Sequence, residues 1–169
     1  MQLLSATAAL TLTDWSESTL RRRWAEGLVR RVTEEGGAGR AMVPWADLQP
    51  HVAVTLSPSD LSRLWAADAG DPDAQVDTAL FLLAQGFAKG AGRWLLLATR
   101  RDHPEAAYWL ARLDLAGEGG LANDATALAW LARAAELGHP IAQAQIRELA
   151  GRPPSPVQPL LENQPRVLP

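Results

Sequence analysis

The chain has 169 residues, 47% of them hydrophobic, and a formal net charge of -3 from 16 basic and 19 acidic side chains. That is enough apolar material for one ordinary core or for two small modules sharing one, and the charge excludes a globally basic nucleic-acid coat, confining any such contact to a local patch. With no cysteine there is no disulfide framework, thiolate nucleophile or sulfur-ligated metal.

Met1 to Leu12 is mildly apolar but lacks a basic n-region, so no signal peptide is expected and the expected compartment is the cytoplasm. Charge or glycine breaks every longer apolar stretch well short of the roughly 18 residues a membrane span needs, so no membrane partner is expected. Ser5 to Leu10 predicts a short helix, Thr13-Asp14-Trp15 a turn, and Glu17 to Glu26 a second helix with Ser16 as its cap. Leu20 and Trp24, four apart, define the core face of that helix and leave Ser18, Arg21 and Arg22 toward solvent. Gly27 ends it. Leu28 to Val32 and Arg40 to Pro44 then read as two strands around a flexible tip at Glu35 to Gly39, a wing beside the helix pair.

The stretch Trp15 to Leu48 resembles small winged helix-turn-helix domains of the MerR-like and excisionase type. The resemblance is carried by Ser16-x-x-Thr19-Leu20-Arg21-Arg22, the hairpin, and Val43-Pro44-Trp45-Ala46-Asp47-Leu48. It implies that Ser18, Arg21, Arg22, Arg30 and Arg40 are candidate DNA contacts, since arginine neutralises phosphate and a recognition helix presents its early residues to base edges. Against this, the six arginines before residue 56 are balanced by Asp14, Glu17, Glu26, Glu34, Glu35 and Asp47. Successive helical arginines also diverge by about 100°, so a packing or protein-docking role competes with DNA contact.

From Ser57 to Ala150 the sequence repeats. Trp94, Leu95, Ala98, His103, Pro104 and Ala106 recur 36 residues on as Trp130, Leu131, Ala134, His139, Pro140 and Ala142, and Leu110 and Leu113 as Ile146 and Leu149. Each unit reads as a helix, a break at His-Pro and a second helix, because proline stops one helix and suits the first turn of the next. A weaker upstream copy runs from Leu61 to Gly86 through Asp71-Pro72-Asp73-Ala74. The link Gly117 to Asp124 joins the two strong units, with Asp124 expected as a cap. Beyond Ala150 the proline-rich stretch to Pro169 cannot continue a helix and is expected to be extended.

The segment Gly117 to Gln145, with Ala129-Trp130-Leu131-x-x-Ala134-Ala135-x-x-Gly138-His139-Pro140-x-Ala142, resembles Sel-one-like repeats, relatives of the tetratricopeptide repeats. In the Arg93 copy Asp102 stands in place of the family's glycine. The expected fold is therefore mainly α, a solenoid of two to three helical hairpins (57–150) behind a winged helix-turn-helix module (1–56), with a tail (151–169). Such repeats expose a surface made by their first helices.

No chemistry stands out. His103 and His139 occupy equivalent places, which points to a recurring turn contact, and His51 is isolated, so no metal is expected. Gly36-Gly37-Ala38-Gly39 and Gly117-Glu118-Gly119-Gly120 lack the Gly-Lys-Ser/Thr ending of a phosphate loop. Most of the seven tryptophans are expected in the core, with Trp45 and Trp65 at the junction of the modules. No nucleophile has a histidine and acid partner, no cofactor is implied, and the chain is not expected to be an enzyme.

Two functions follow. One is an adaptor that binds a protein partner through the repeats, with the N-terminal module as docking element. The other is a DNA-binding transcriptional regulator whose repeats dimerise or sense a partner. Alignment of the two strong units sets Arg93, Leu97 and Arg100 where Ala129, Arg133 and Glu136 stand, away from the Trp130/Ala134 packing face. Arg93, Leu97, Arg100 and Arg133 are thus the candidate protein contacts, with Leu97 as apolar anchor for an acidic partner segment. The competing expectation is that the first hairpin or the tail covers Leu97 and makes it core.

Overall fold

The computed structural model describes residues 2–33, 39–118 and 123–151. The chain opens with strand β1 (Leu3–Ser5), which sequence reading assigned to no element, and passes directly into helix α1 (Ala6–Thr13). Ser5 ends the strand and caps the helix, its Oγ accepting from the Ala8 N–H at 3.1 Å. The composition of α1, alanine, leucine and threonine all round with no charge, provides no face for solvent. Every residue from Ala8 to Thr13 is buried. The Thr11 and Thr13 hydroxyls donate back to the Ala8 and Ala9 carbonyls at 2.9 and 2.7 Å, so the buried hydroxyls are satisfied and the helix runs past Leu10, where it was expected to end.

Helix α2 (Glu17–Ala25) follows, capped by Ser16 Oγ on the Thr19 N–H at 3.1 Å, with Leu20 buried. Strands β2 (Val32–Thr33) and β3 (Ala41–Pro44) complete an antiparallel sheet of order β1-β3-β2, with Leu4 opposite Val43 and Val32 opposite Met42. The expected strand Leu28 to Val32 is thus reduced to its end. Asp47 takes the Arg30 backbone N–H at 3.0 Å and its guanidinium at 2.9 and 2.8 Å, and Val29 turns into the core. Most of the expected hairpin tip falls in 34–38, outside the described residues. Helix α3 (Trp45–Leu48) starts directly after Pro44 and leads into one 3₁₀ turn (Gln49–His51).

Three helical hairpins make up the rest: α4 (Pro58–Ala69) with α5 (Pro72–Ala84), α6 (Ala88–Thr99) with α7 (Pro104–Ala116), and α8 (Asp124–Glu136) with α9 (Pro140–Gly151). Each helix packs on its neighbours in chain order. Ser57 and Asp60 form a reciprocal capping box that starts α4. In every hairpin the second helix begins with proline, and the residue two before that proline has a left-handed backbone: Gly70 (φ 103°), Asp102 (φ 56°) and Gly138 (φ 93°). Asp102 fills the glycine's place because aspartate is among the few side chains that tolerate this region. At α8 the cap is Asn123, whose Oδ1 accepts from the Ala125 and Thr126 N–H groups at 3.1 Å, and the expected cap Asp124 is the first helical residue. The expected extended tail lies outside the described residues, save Gly151, which closes α9.

One apolar cluster runs from Leu4 through the N-terminal elements and the first two hairpins to Leu113, and a smaller one, Ala107, Ala111, Leu131, Ala134 and Ala142, holds the third hairpin. β1 packs on α4 and α1 on α6, so the N-terminal elements lie on the first helices of the first two hairpins. Three contacts hold this joint. Trp94, 1% exposed, donates its indole N–H to Thr11 Oγ1 at 3.0 Å. A Cβ on Gly90 would stand 3.0 Å from the Thr11 carbonyl oxygen, so only glycine allows the two backbones this close. The buried Asp68 carboxylate accepts from the Ser5 N–H at 2.7 Å, from the Ser5 hydroxyl, and from Arg40 Nη2 at 2.9 Å. Beside them Trp45 meets Trp65 edge to face, centroids 5.7 Å apart.

Candidate protein-binding surface

On α2, Ser18, Arg21 and Arg22 point outward as the Leu20/Trp24 spacing requires, and the arginines form loose one-turn pairs with Glu17 (3.7 Å) and Glu26 (4.0 Å). The other two candidate DNA contacts are engaged within the fold. Arg30 grips Asp47 with two nitrogens; these hydrogen bonds hold the Asp47 carboxyl below the usual carboxylate range and raise the Arg30 guanidinium. Arg40 reaches across to Asp68 and to its carbonyl, on the first repeat helix. Arg23 and Arg31 lie over the rings of Trp15 and Trp24, at 4.2 and 5.3 Å.

On α6 the buried stripe is Ala91, Trp94, Leu95 and Ala98. At 100° per residue the middle of that stripe lies about 150–170° from Arg93, Leu96 and Arg100 but only about 110° from Leu97. Leu97 is accordingly half-buried against the main core, whereas Leu96 is 46% exposed. Leu97, the expected anchor, thus stands half-buried at the flank of the core, and Leu96 is the apolar side chain on the outer face between Arg93 and Arg100. The signal for Leu96 lies in the whole buried stripe of α6, not in the position that aligns with Arg133. The fourth candidate, Arg133 on α8, donates to Asp102 in the preceding hairpin's turn and to Glu136 at 3.3 Å, bonds that raise its guanidinium. Further exposed leucines stand along the array at Leu115 and Leu128, both at least half exposed.

The two repeat histidines share one arrangement. His103 Nδ1 accepts from the Ala106 N–H at 3.3 Å and His139 Nδ1 from the Ala142 N–H at 3.2 Å, so each caps its hairpin's second helix. Their Nε2–H groups donate back one hairpin, to Asp73 at 2.9 Å and Glu105 at 2.8 Å. Asp73 and Glu105 each follow the proline of the preceding unit. Tyr108 stacks on His139 at 4.3 Å. His51, expected to be isolated, lies against Trp15 at 5.1 Å.

Among the described residues, no three histidine, aspartate or glutamate side chains converge as a metal site requires, and no helix is long and apolar enough to cross a membrane. No family model matches the sequence, and no curated protein matches it. A solved structure of a Sel1 repeat protein from Oxalobacter formigenes aligns at 28% identity over 54% of this chain and 72% of that one, with a TM-score of 0.48.

Proposed function

We propose that this chain is a non-enzymatic adaptor that binds a protein partner through its helical hairpins, with the N-terminal module held against the array as a docking element. The observation that carries this reading is the outer face of α6, where exposed Leu96 stands between Arg93 and Arg100 within about 60° on the wheel. An apolar anchor ringed by polar groups is how interfaces concentrate their energy, and spacing of three and four residues presents such anchors in line. Leu97 flanks the stripe, and Arg133 on α8, paired with Asp102 and Glu136, stands beside the turn that follows α6. The reading places the protein in the cytoplasm and requires no cofactor.

The test is capture of interacting proteins from the native cell on the immobilised full chain, with and without nuclease, by wild type and by Leu96→Glu. The adaptor reading expects a nuclease-insensitive partner that Leu96→Glu loses while its melting temperature is kept. Undiminished capture by Leu96→Glu and by Arg100→Glu overturns it. The alternative, a DNA-binding regulator, is favoured by one observation: Ser18, Arg21 and Arg22 are all exposed on the outer face of α2. It expects salt-sensitive retention on duplex DNA that Arg22→Ala weakens, and a wild type with no such retention refutes it.

A further inference from the structure

Where α1 crosses the start of α6, two neighbouring hollows of about 460 and 660 Å³ are both bordered by Leu10 and Arg93 and make the two halves of a trough. The larger half is mainly apolar, with Leu10, Leu20 and Trp24 in its lining, whereas the smaller mixes Trp15 and Phe87 with Thr11, Asp14 and Lys89. Among the described residues its walls carry Lys89 and Arg93 from α6, Arg21 from α2, and Arg31, against the carboxylates of Asp14 and Glu17. Glu17 is already opposite Arg21 at 3.7 Å. A chain of net charge -3 thus concentrates an excess of positive charge around one apolar cleft.

We infer that this trough seats a short peptide segment of the partner, carrying acidic side chains on either side of an aliphatic or aromatic anchor. The anchor fills the space over Leu10 and Trp24, and the carboxylates meet Arg31 on one wall and Lys89 and Arg93 on the other. A cleft of this size takes a few side chains, and the cationic walls steer the encounter while the apolar floor holds the bound segment. The choice of peptide over nucleic acid rests on the floor and on the two wall carboxylates, because a phosphate backbone favours an unbroken basic surface. The inference rests on the adaptor reading and narrows its partner. Arg93 borders both the trough and the α6 stripe, so the two are separated by Arg31 and Lys89, which only the trough contains.

The experiment presents the full chain to a displayed library of random short peptides, and the enriched peptides are then synthesised and titrated by fluorescence anisotropy. Enrichment of aspartate or glutamate beside leucine or phenylalanine is expected, with affinity that falls as salt rises. Arg31→Glu and Lys89→Glu are each expected to weaken binding roughly five- to tenfold, as reversal of a partly exposed charge does, with the far-ultraviolet circular dichroism of the folded chain kept, and Arg147→Glu on α9 is expected to change nothing. No enrichment, enriched peptides without acids, affinity untouched in the Arg31→Glu/Lys89→Glu double variant, or displacement of the peptide by duplex DNA overturns the inference. A native partner lost by Leu96→Glu but kept by the double variant sinks the trough and leaves the adaptor standing. A partner kept by Leu96→Glu, by Arg100→Glu and by the double variant sinks the adaptor as well.

Discussion

Trp94 and Trp130 occupy the same position of two successive repeats, yet they should differ sharply in what they contribute. Trp94 is sealed beneath α1 and donates to Thr11; Trp130 is half-buried between the two clusters. Replacement of Trp94 by phenylalanine removes one neutral hydrogen bond, about 1 kcal/mol. Thr11 keeps its bond to the Ala8 carbonyl and is not stranded. The smaller ring also leaves a void of roughly 40 Å³, which at about 24 cal/mol per Å³ adds about 1 kcal/mol. The total of about 2 kcal/mol should lower the melting temperature by roughly 4–8 °C for a chain of this length. Trp130→Phe, with solvent already at its ring, should cost under about 1 kcal/mol. Urea unfolding followed by far-ultraviolet circular dichroism gives both values, with an unchanged m showing that the denatured state is the same. Equal losses, or a larger one at Trp130, would refute the placement of α1 on α6.

The two glycines of α6 should respond in opposite directions. Gly90→Ala drives a methyl against the Thr11 carbonyl and should lose about 1 kcal/mol net of the helix-propensity gain, whereas Gly92→Ala, whose Cβ would meet Leu113 at an ordinary 3.9 Å, should gain about 0.5–1 kcal/mol in thermal melts. Asp68→Asn weakens a buried three-way acceptor and should cost about 2–3 kcal/mol, with hydrogen exchange at the Ser5 amide accelerated; an unperturbed Ser5 amide would show that the joint does not depend on Asp68. Asp47 has a depressed folded-state pKa, so its pairing with Arg30 stabilises the fold above the ordinary carboxylate pKa and is lost as pH falls through the folded value. Stability of Arg30→Ala should therefore decline less than wild type between neutral pH and the acid side of that range, and parallel pH profiles would contradict the linkage.

The hairpins were legible because their signals are local. His-Pro-x-Ala puts cap, first-turn proline and close-packing alanine within four residues, and the pattern recurs with Trp94 and Trp130 in register. What escaped was set by distance along the chain. Asp47 lies 17 residues from Arg30 and Asp68 lies 28 from Arg40, so nothing near either arginine disclosed that it is engaged within the fold. β1 is three residues long and too short to show alternation. The all-round apolar character of α1 indicated burial but not against which helix; Gly90 and Thr11, 79 residues apart by number, meet only once the hairpins have formed. The half-burial of Leu97 could not be read from its charged counterpart Arg133, because α6 has α1 laid on it.

The histidine turns give the array a direction. Unit by unit the chain reads Asp71-Pro72-Asp73, His103-Pro104-Glu105, His139-Pro140-Ile141. The first unit offers an acid to its successor but has aspartate, which caps Ala74 at 3.0 Å, where the others have a backward-reaching imidazole. The third reaches back but offers isoleucine, half exposed, where the others offer a carboxylate. Such units are not interchangeable bricks. Duplication of the middle unit would reproduce both halves of the clasp and lengthen the array in phase, while a copy grafted after the third would bring its histidine against a hydrocarbon. The order of the three units is written in the two residues that flank each proline.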